Sequence, residues 1–230
     1  PDSKKGENRD WLLGQVLTLA EALEDTGVSL KVESSLRSCG YDLITMIHRR
    51  RIRVFADLKL TGTREKLSVE GALLREFCPD FVTVSCASGV VAMKALKAEL
   101  PTTSVLGVTV LTSFTDRDAM DVYLSSVEQA VMHLAQLAED AGLDGLILAP
   151  REVGVVRALC SQKMTLNTPG IRSPWMVIED DDQNLGRAMT PKAALEAGAD
   201  RLIVERAVTQ SSKPRDVVQR LIEEIASVKP

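Results

Sequence analysis

Ile52-Arg53-Val54-Phe55-Ala56-Asp57-Leu58, followed at once by Lys59, is a short apolar run that ends in charge. Its β-branched and aromatic centre reads as a strand, and its lack of polar alternation suits a strand buried on both faces. A period of two places Asp57 and Lys59 on one side, with Leu58 opposite. A buried strand carrying an opposite-charge pair at its C-terminal end is the pattern on which the fold turns.

Six further runs are likewise short, mostly apolar and followed by a polar turn: 28–32, 81–85, 104–110, 144–149, 163–167 and 201–205. Between and around them lie stretches of helical period, near 11–25, 35–50, 64–77, 89–99, 117–141, 151–161, 190–198 and 214–227. Strict alternation of strand and helix, with no Pro-, Gly- or Ser-rich linker, predicts one α/β domain over residues 1–230. An open doubly wound sheet should carry G-x-G-x-x-G after its first strand, and no such motif is present. Polar residues gather instead at the strand ends: Lys31, Asp57 with Lys59, Ser85, Thr112, Thr168 to Arg172, and Arg206. A (β/α)₈ TIM barrel brings such ends to one mouth, so a barrel is expected. Its eighth strand would have to lie at the N-terminus. The polar segment Pro1–Asp10, PDSKKGENRD, occupies that place and offers no apolar residue to seal it, so an atypical or missing first strand is expected.

The 230 residues are enough to bury one sizeable core. With 28 basic and 32 acidic side chains, the net charge of −4 argues against nucleic acid or an anionic membrane as partner, since either needs a basic face. No apolar run approaches a membrane span of about 20 residues, and no signal-peptide core is legible, so a cytoplasmic protein is expected. Cys39, Cys78, Cys86 and Cys160 form no C-x-x-C pair and read as buried free thiols of a reducing compartment. His48 and His133, the only histidines, are isolated and read as structural; no metal site is expected.

The chemistry lies at the strand ends. Asp57 and Lys59 would hold each other ionised, and Lys31, in Leu30-Lys31-Val32, would extend them into a Lys–Asp–Lys row. Thr168-Pro169-Gly170-Ile171-Arg172 and Arg206 follow the last two strands, where barrels of this kind bind phosphate. Gly170 lets the backbone approach an anion, arginine offers a bidentate fork, and Gln183 could add an amide donor.

These residues resemble the orotidine 5′-phosphate decarboxylase family in its bacterial form. The resemblance runs from about Val28 to the C-terminus. It rests on LKV (30–32), FADLKL (55–60), GVTVLTS (107–113), NTPGIR (167–172), DDQ (181–183), MTPKAALEAGAD (189–200) and LIVERAV (202–208). It implies a homodimeric barrel, without metal or organic cofactor, that converts orotidine 5′-monophosphate to UMP and carbon dioxide in pyrimidine biosynthesis. Lys59 matches the lysine that protonates C6, with Lys31 and Asp57 as charged neighbours and Asp57 set against the substrate carboxylate. Thr112, Gly170, Arg172, Gln183 and Arg206 match substrate-binding positions, and Asp10 is the nearby candidate for a ribose-contacting aspartate.

The chain also departs from that pattern. D-x-K-x-x-D ends here in Gly62, so the carboxylate that enters the family's site across the dimer interface has no counterpart. Ser85 stands where a histidine is usual, Glu33 replaces a glycine, and Glu205 replaces the glycine before the arginine. Two readings stay open. One is a carboxy-lyase working through Lys59. The other is a paralogue that binds a nucleotide or other phosphate ester without efficient turnover. Sugar-phosphate chemistry, as in hexulose-phosphate synthase, is a third and gains nothing from Gly62.

Overall fold

A computed structural model describes residues 8–176 and 188–228. Seven parallel strands alternate with helices along the chain. In order they are α1 (Arg9–Ala22), β1 (Ser29–Val32), α2 (Ser34–Cys39), α3 (Asp42–His48), β2 (Arg53–Leu60), α4 (Arg64–Arg75), β3 (Phe81–Ser85), α5 (Val90–Glu99) and β4 (Ser104–Val108). There follow α6 (Asp116–Tyr123), α7 (Val127–Asp140), β5 (Gly145–Ile147), α8 (Val153–Leu159), β6 (Thr165–Thr168), α9 (Pro191–Glu196), β7 (Arg201–Leu202), α10 (Arg206–Thr209) and α11 (Pro214–Ala226). Spatial order equals chain order, as expected when each strand returns through a helix to pair beside its predecessor.

The sheet packs apolar side chains on both of its faces. Leu30, Val32, Val54, Ala56, Val82, Val84, Val105, Leu146 and Leu166 point outward into the core shared with the helices. Phe55, Phe81 and Leu106 point inward and pack with Ile147 and Ile203, the two phenyl rings 5.8 Å apart. The sheet is thus curled around an interior of its own. The helices begin on side-chain caps that satisfy otherwise orphaned amides: Asn8 accepts from the Trp11 N–H, and Thr63 from Lys66. Thr115 and Ser126 open reciprocal capping boxes with Asp118 and Gln129.

Among the described residues the curled sheet is not closed: β1 pairs only with β2 and β7 only with β6. Between the two free edges lies a cavity of about 860 Å³, lined by Leu30 and Lys31, by Leu202 to Arg206, and by side chains of α1 and α11. An ion pair between Lys31 and Glu205 spans the gap at the mouth. The seven-stranded curled sheet bears out the α/β expectation.

Several boundaries differ from the sequence-based expectation. Arg9 and Asp10 form the first turn of α1 rather than a polar sheet edge, because Asn8 caps a helix there; residues 1–7 lie outside the described residues. The strand expected over 201–205 is only Arg201–Leu202, since β7 has a partner on one side alone. The helix expected over 35–50 is broken at Gly40, whose φ of +86° an L side chain would resist. That over 117–141 breaks at Leu124, also left-handed. Cys39, Cys86 and Cys160 are buried, and burial pushes the Cys86 thiol up to about 12; Cys78, by contrast, is exposed. His48 Nε2 lies 2.9 Å from Asp80 Oδ2, a contact between structural elements. Among the described residues no helix is long and apolar enough to cross a membrane.

Candidate active site

The site is built on the inward faces of β1, β2 and β3, one layer above the phenyl floor. Asp57 lies two residues after Phe55, and Thr83 two after Phe81, so the strand period stacks polar groups directly over rings. Lys31 reaches the same layer from β1, where Leu30 and Val32 face the helices.

At its end β2 is not a regular strand. Ala56 pairs with Val82, but Leu60 pairs with Val84, so four steps along β2 match two along β3. The bulge throws Lys59 into the left-handed region at φ +47°, a conformation that costs a non-glycine residue on the order of 1–2 kcal/mol. Thr83 compensates the lost ladder bond: the Lys59 N–H donates to Thr83 Oγ1 at 2.8 Å, and that hydroxyl donates to Asp57 Oδ1 at 2.9 Å. Asp57 and Lys59 therefore share a side, as period two predicts, but through a bulge rather than a regular pleat.

Both ammonium groups converge on one oxygen. Lys31 Nζ and Lys59 Nζ each donate to Asp57 Oδ2 at 3.0 Å. Two carboxylates absent from the sequence-based set complete the arrangement. Glu33 Oε1 lies 2.9 Å from Lys59 Nζ and its Oε2 4.0 Å from Lys31 Nζ, while Glu205 pairs with Lys31. Burial alone would raise the Asp57 carboxyl, yet Lys31 and Lys59 together hold it below the ordinary carboxylate value. Burial likewise disfavours the Lys31 ammonium, but Glu205 and Asp57 outweigh it and hold that amine well above the usual lysine range. The cluster carries three carboxylates against two ammonium groups. Fixed charges over an apolar floor suit stabilisation of a charge that develops during reaction.

The anion-binding candidates stand on the neighbouring strand ends. Gly170, at φ +77°, lies in the loop after β6; its carbonyl accepts from the Met189 N–H, and the Arg172 N–H donates to the Met189 carbonyl. This ladder fixes the half-buried Arg172 beyond the end of β6. Arg206 opens α10 after β7 and lines the same cavity as Lys31 and Glu205. Thr112 is half-buried in the turn after β4. Gln183 lies outside the described residues. Asp10 is exposed in the first turn of α1 and is not part of the charge cluster. Gly62 supplies no carboxylate, and a Cβ there would meet the Lys66 stem at 2.6 Å. Among the described residues no group of three or more His, Cys, Asp or Glu side chains is placed to hold a metal ion.

Thr83, Glu33 and Glu205 are what sequence reasoning left without a role. Thr83 does carry a signal, as the one polar residue inside the apolar run 81–84. The two glutamates are departures from the family pattern, and nothing in their spacing says that both turn toward lysines.

The model of the orotidine 5′-phosphate decarboxylase / HUMPS family matches residues 12–221. Orotidine 5′-phosphate decarboxylase of Legionella pneumophila (strain Corby) is 34% identical over 217 residues, covering 91% of this chain and 93% of that protein. The enzyme of the same name from Syntrophotalea carbinolica is 36% identical over 200 residues, covering 82% and 80%. Among solved structures, orotidine 5′-phosphate decarboxylase from Lactobacillus acidophilus superimposes with a TM-score of 0.73 at 26% identity, covering 85% of each chain. That from Pyrococcus horikoshii OT3 gives 0.76 at 21% identity and agrees in fold.

Proposed function

Because the chain belongs to the orotidine 5′-phosphate decarboxylase / HUMPS family, we propose that it decarboxylates orotidine 5′-monophosphate to UMP and carbon dioxide in pyrimidine biosynthesis. In this reading residues 1–230 are one barrel domain of a cytoplasmic homodimer. The observation that carries it is the pair of ammonium groups held on Asp57 Oδ2 at 3.0 Å each.

The chemistry follows from that geometry. Gly170, Arg172, Gln183 and Arg206 take the phosphate, and Thr112 contacts the nucleotide. Binding energy from this remote group presses the pyrimidine carboxylate toward Asp57, and like charges in contact raise the ground state. The C6–carboxylate bond breaks, carbon dioxide leaves, and the electron pair stays on C6 beside the Lys59 ammonium. That fixed positive charge stabilises the pair as it forms. Lys59 Nζ then transfers a proton to C6, giving UMP and a neutral amine that solvent reprotonates.

The test is ultraviolet absorbance of orotidylate mixed with purified protein. Turnover is expected, and Lys59→Ala should lower it by at least about a hundredfold, the lower range for a positioned proton donor. Measurable UMP binding with no turnover would favour the second reading, a binding paralogue. The Glu205 carboxylate brought onto Lys31 favours that reading, because it opposes a ligand bearing a further carboxylate.

A further inference from the structure

Lys59 is gripped from two sides. Asp57 Oδ2 holds it at 3.0 Å from its own strand, and Glu33 Oε1 holds it at 2.9 Å from the turn between β1 and α2. The same two carboxylates also face Lys31, Asp57 at 3.0 Å and Glu33, through its second oxygen, at 4.0 Å. The four groups form a closed ring of alternating charge: Lys31, Asp57, Lys59, Glu33 and back to Lys31. A lysine held by one carboxylate can swing its ammonium about that contact; one held between two cannot.

The ring is drawn wholly from one chain. Glu33 reaches it because the backbone leaves β1 there at φ −130°, ψ −89°, preceding the first turn of α2, and its side chain caps none of the helix amides. Position 62, three residues beyond Lys59, offers no competing acid, and the space beside it is filled by the aliphatic stem of Lys66.

We propose that Glu33 is a positioning residue for Lys59, closing an intrachain charge ring that fixes the ammonium where the proton is delivered. The inference rests on the decarboxylase reading. Glu33 does not touch the reacting carbon and acts only through the lysine. Its removal should therefore lower the rate of the bound complex more than the affinity.

Steady-state kinetics on orotidylate with Glu33→Gln, Glu33→Asp and the unaltered protein test this. Glu33→Gln should lower kcat on the order of a hundredfold, the scale of a reactive group displaced by about 1 Å. KM and UMP affinity should hold. Glu33→Asp, which keeps the charge on a shorter arm, should recover part of the loss. Wild-type kcat in Glu33→Gln overturns the proposal, as does a loss confined to KM. If the unaltered protein turns over no orotidylate, the functional reading fails on its own. Glu33 is then judged by the ¹H–¹⁵N signal of the Lys59 ammonium. Retention by the ring predicts a signal that Glu33→Gln abolishes, and an unchanged signal overturns the ring.

Discussion

The first strand has two edges that differ in almost every respect. Toward β2 it pairs along all four residues, and Lys31 meets an acceptor that is itself held by Thr83. Toward β7 it pairs with nothing among the described residues and faces a cavity of about 860 Å³, crossed at the mouth by the Lys31–Glu205 contact. The reacting groups of the candidate site all lie on the continuous side, β1 to β3. Lys59 is placed by the unbroken sheet beneath it, whereas Lys31 is held from both sides, by Asp57 on the sheet and by Glu205 across the seam.

Truncating each edge's key acid should break or uphold that contrast most clearly. The Asp57 side chain is 10% exposed and accepts from two ammonium groups and a hydroxyl. Asp57→Ala should cost about 3–5 kcal/mol, as expected when a buried ion pair loses one partner. At roughly 2–4 °C per kcal/mol for a chain of this size, Tm should fall on the order of 10 °C in calorimetry. Glu205, with its side chain 46% exposed, should cost less than about 1 kcal/mol on the same substitution. Equal losses would mean that the seam is as tightly held as the sheet.

A second comparison uses one residue type in both regions. Val82, fully buried in β3, should lose about 2 kcal/mol on change to alanine, from transfer and cavity terms together. Val204, half-buried beside the seam, should lose less than about 1 kcal/mol, read from denaturant midpoints. Reversal of that order would show the seam to be packed.

The smallest effect is one of pH. The Asp57 carboxyl is held below its ordinary value, so in acid the unfolded chain binds a proton before the native state does. The stability it contributes is whole above about pH 4 and is lost as the pH falls through the native value. Asp57→Asn should flatten the acid limb of unfolding free energy by up to about 1.4 kcal/mol per pH unit below pH 4. An unchanged limb would place the acid sensitivity elsewhere.

Much of this arrangement was legible in the chain. β3 matches its predicted run residue for residue, because Phe81–Ser85 is mostly apolar and bounded by polar turns. Lys31, Asp57 and Lys59 were legible because their charges interrupt apolar strands at the ends that a barrel gathers at one mouth. What was not legible depends on departures from regular geometry. Period two assumes a uniform pleat, and Lys59 sits in a bulge that a hydroxyl from the next strand stabilises. Glu33 lies in a turn whose backbone angles no pattern announces. β7 is short because a strand's length depends on its neighbours as well as on its own residues.

The open seam also bears on how the molecule behaves in company. Among the described residues the outer edges of β1 and β7 are unpaired and flanked by apolar side chains, and unpaired edges are a template onto which strands of other chains can add. Lys31 on one edge and Glu205 beyond the other set opposite charges at the mouth of that template. An incoming strand would have to separate and desolvate both. The ion pair that spans the gap would thereby oppose such addition, an effect distinct from any it has toward a substrate.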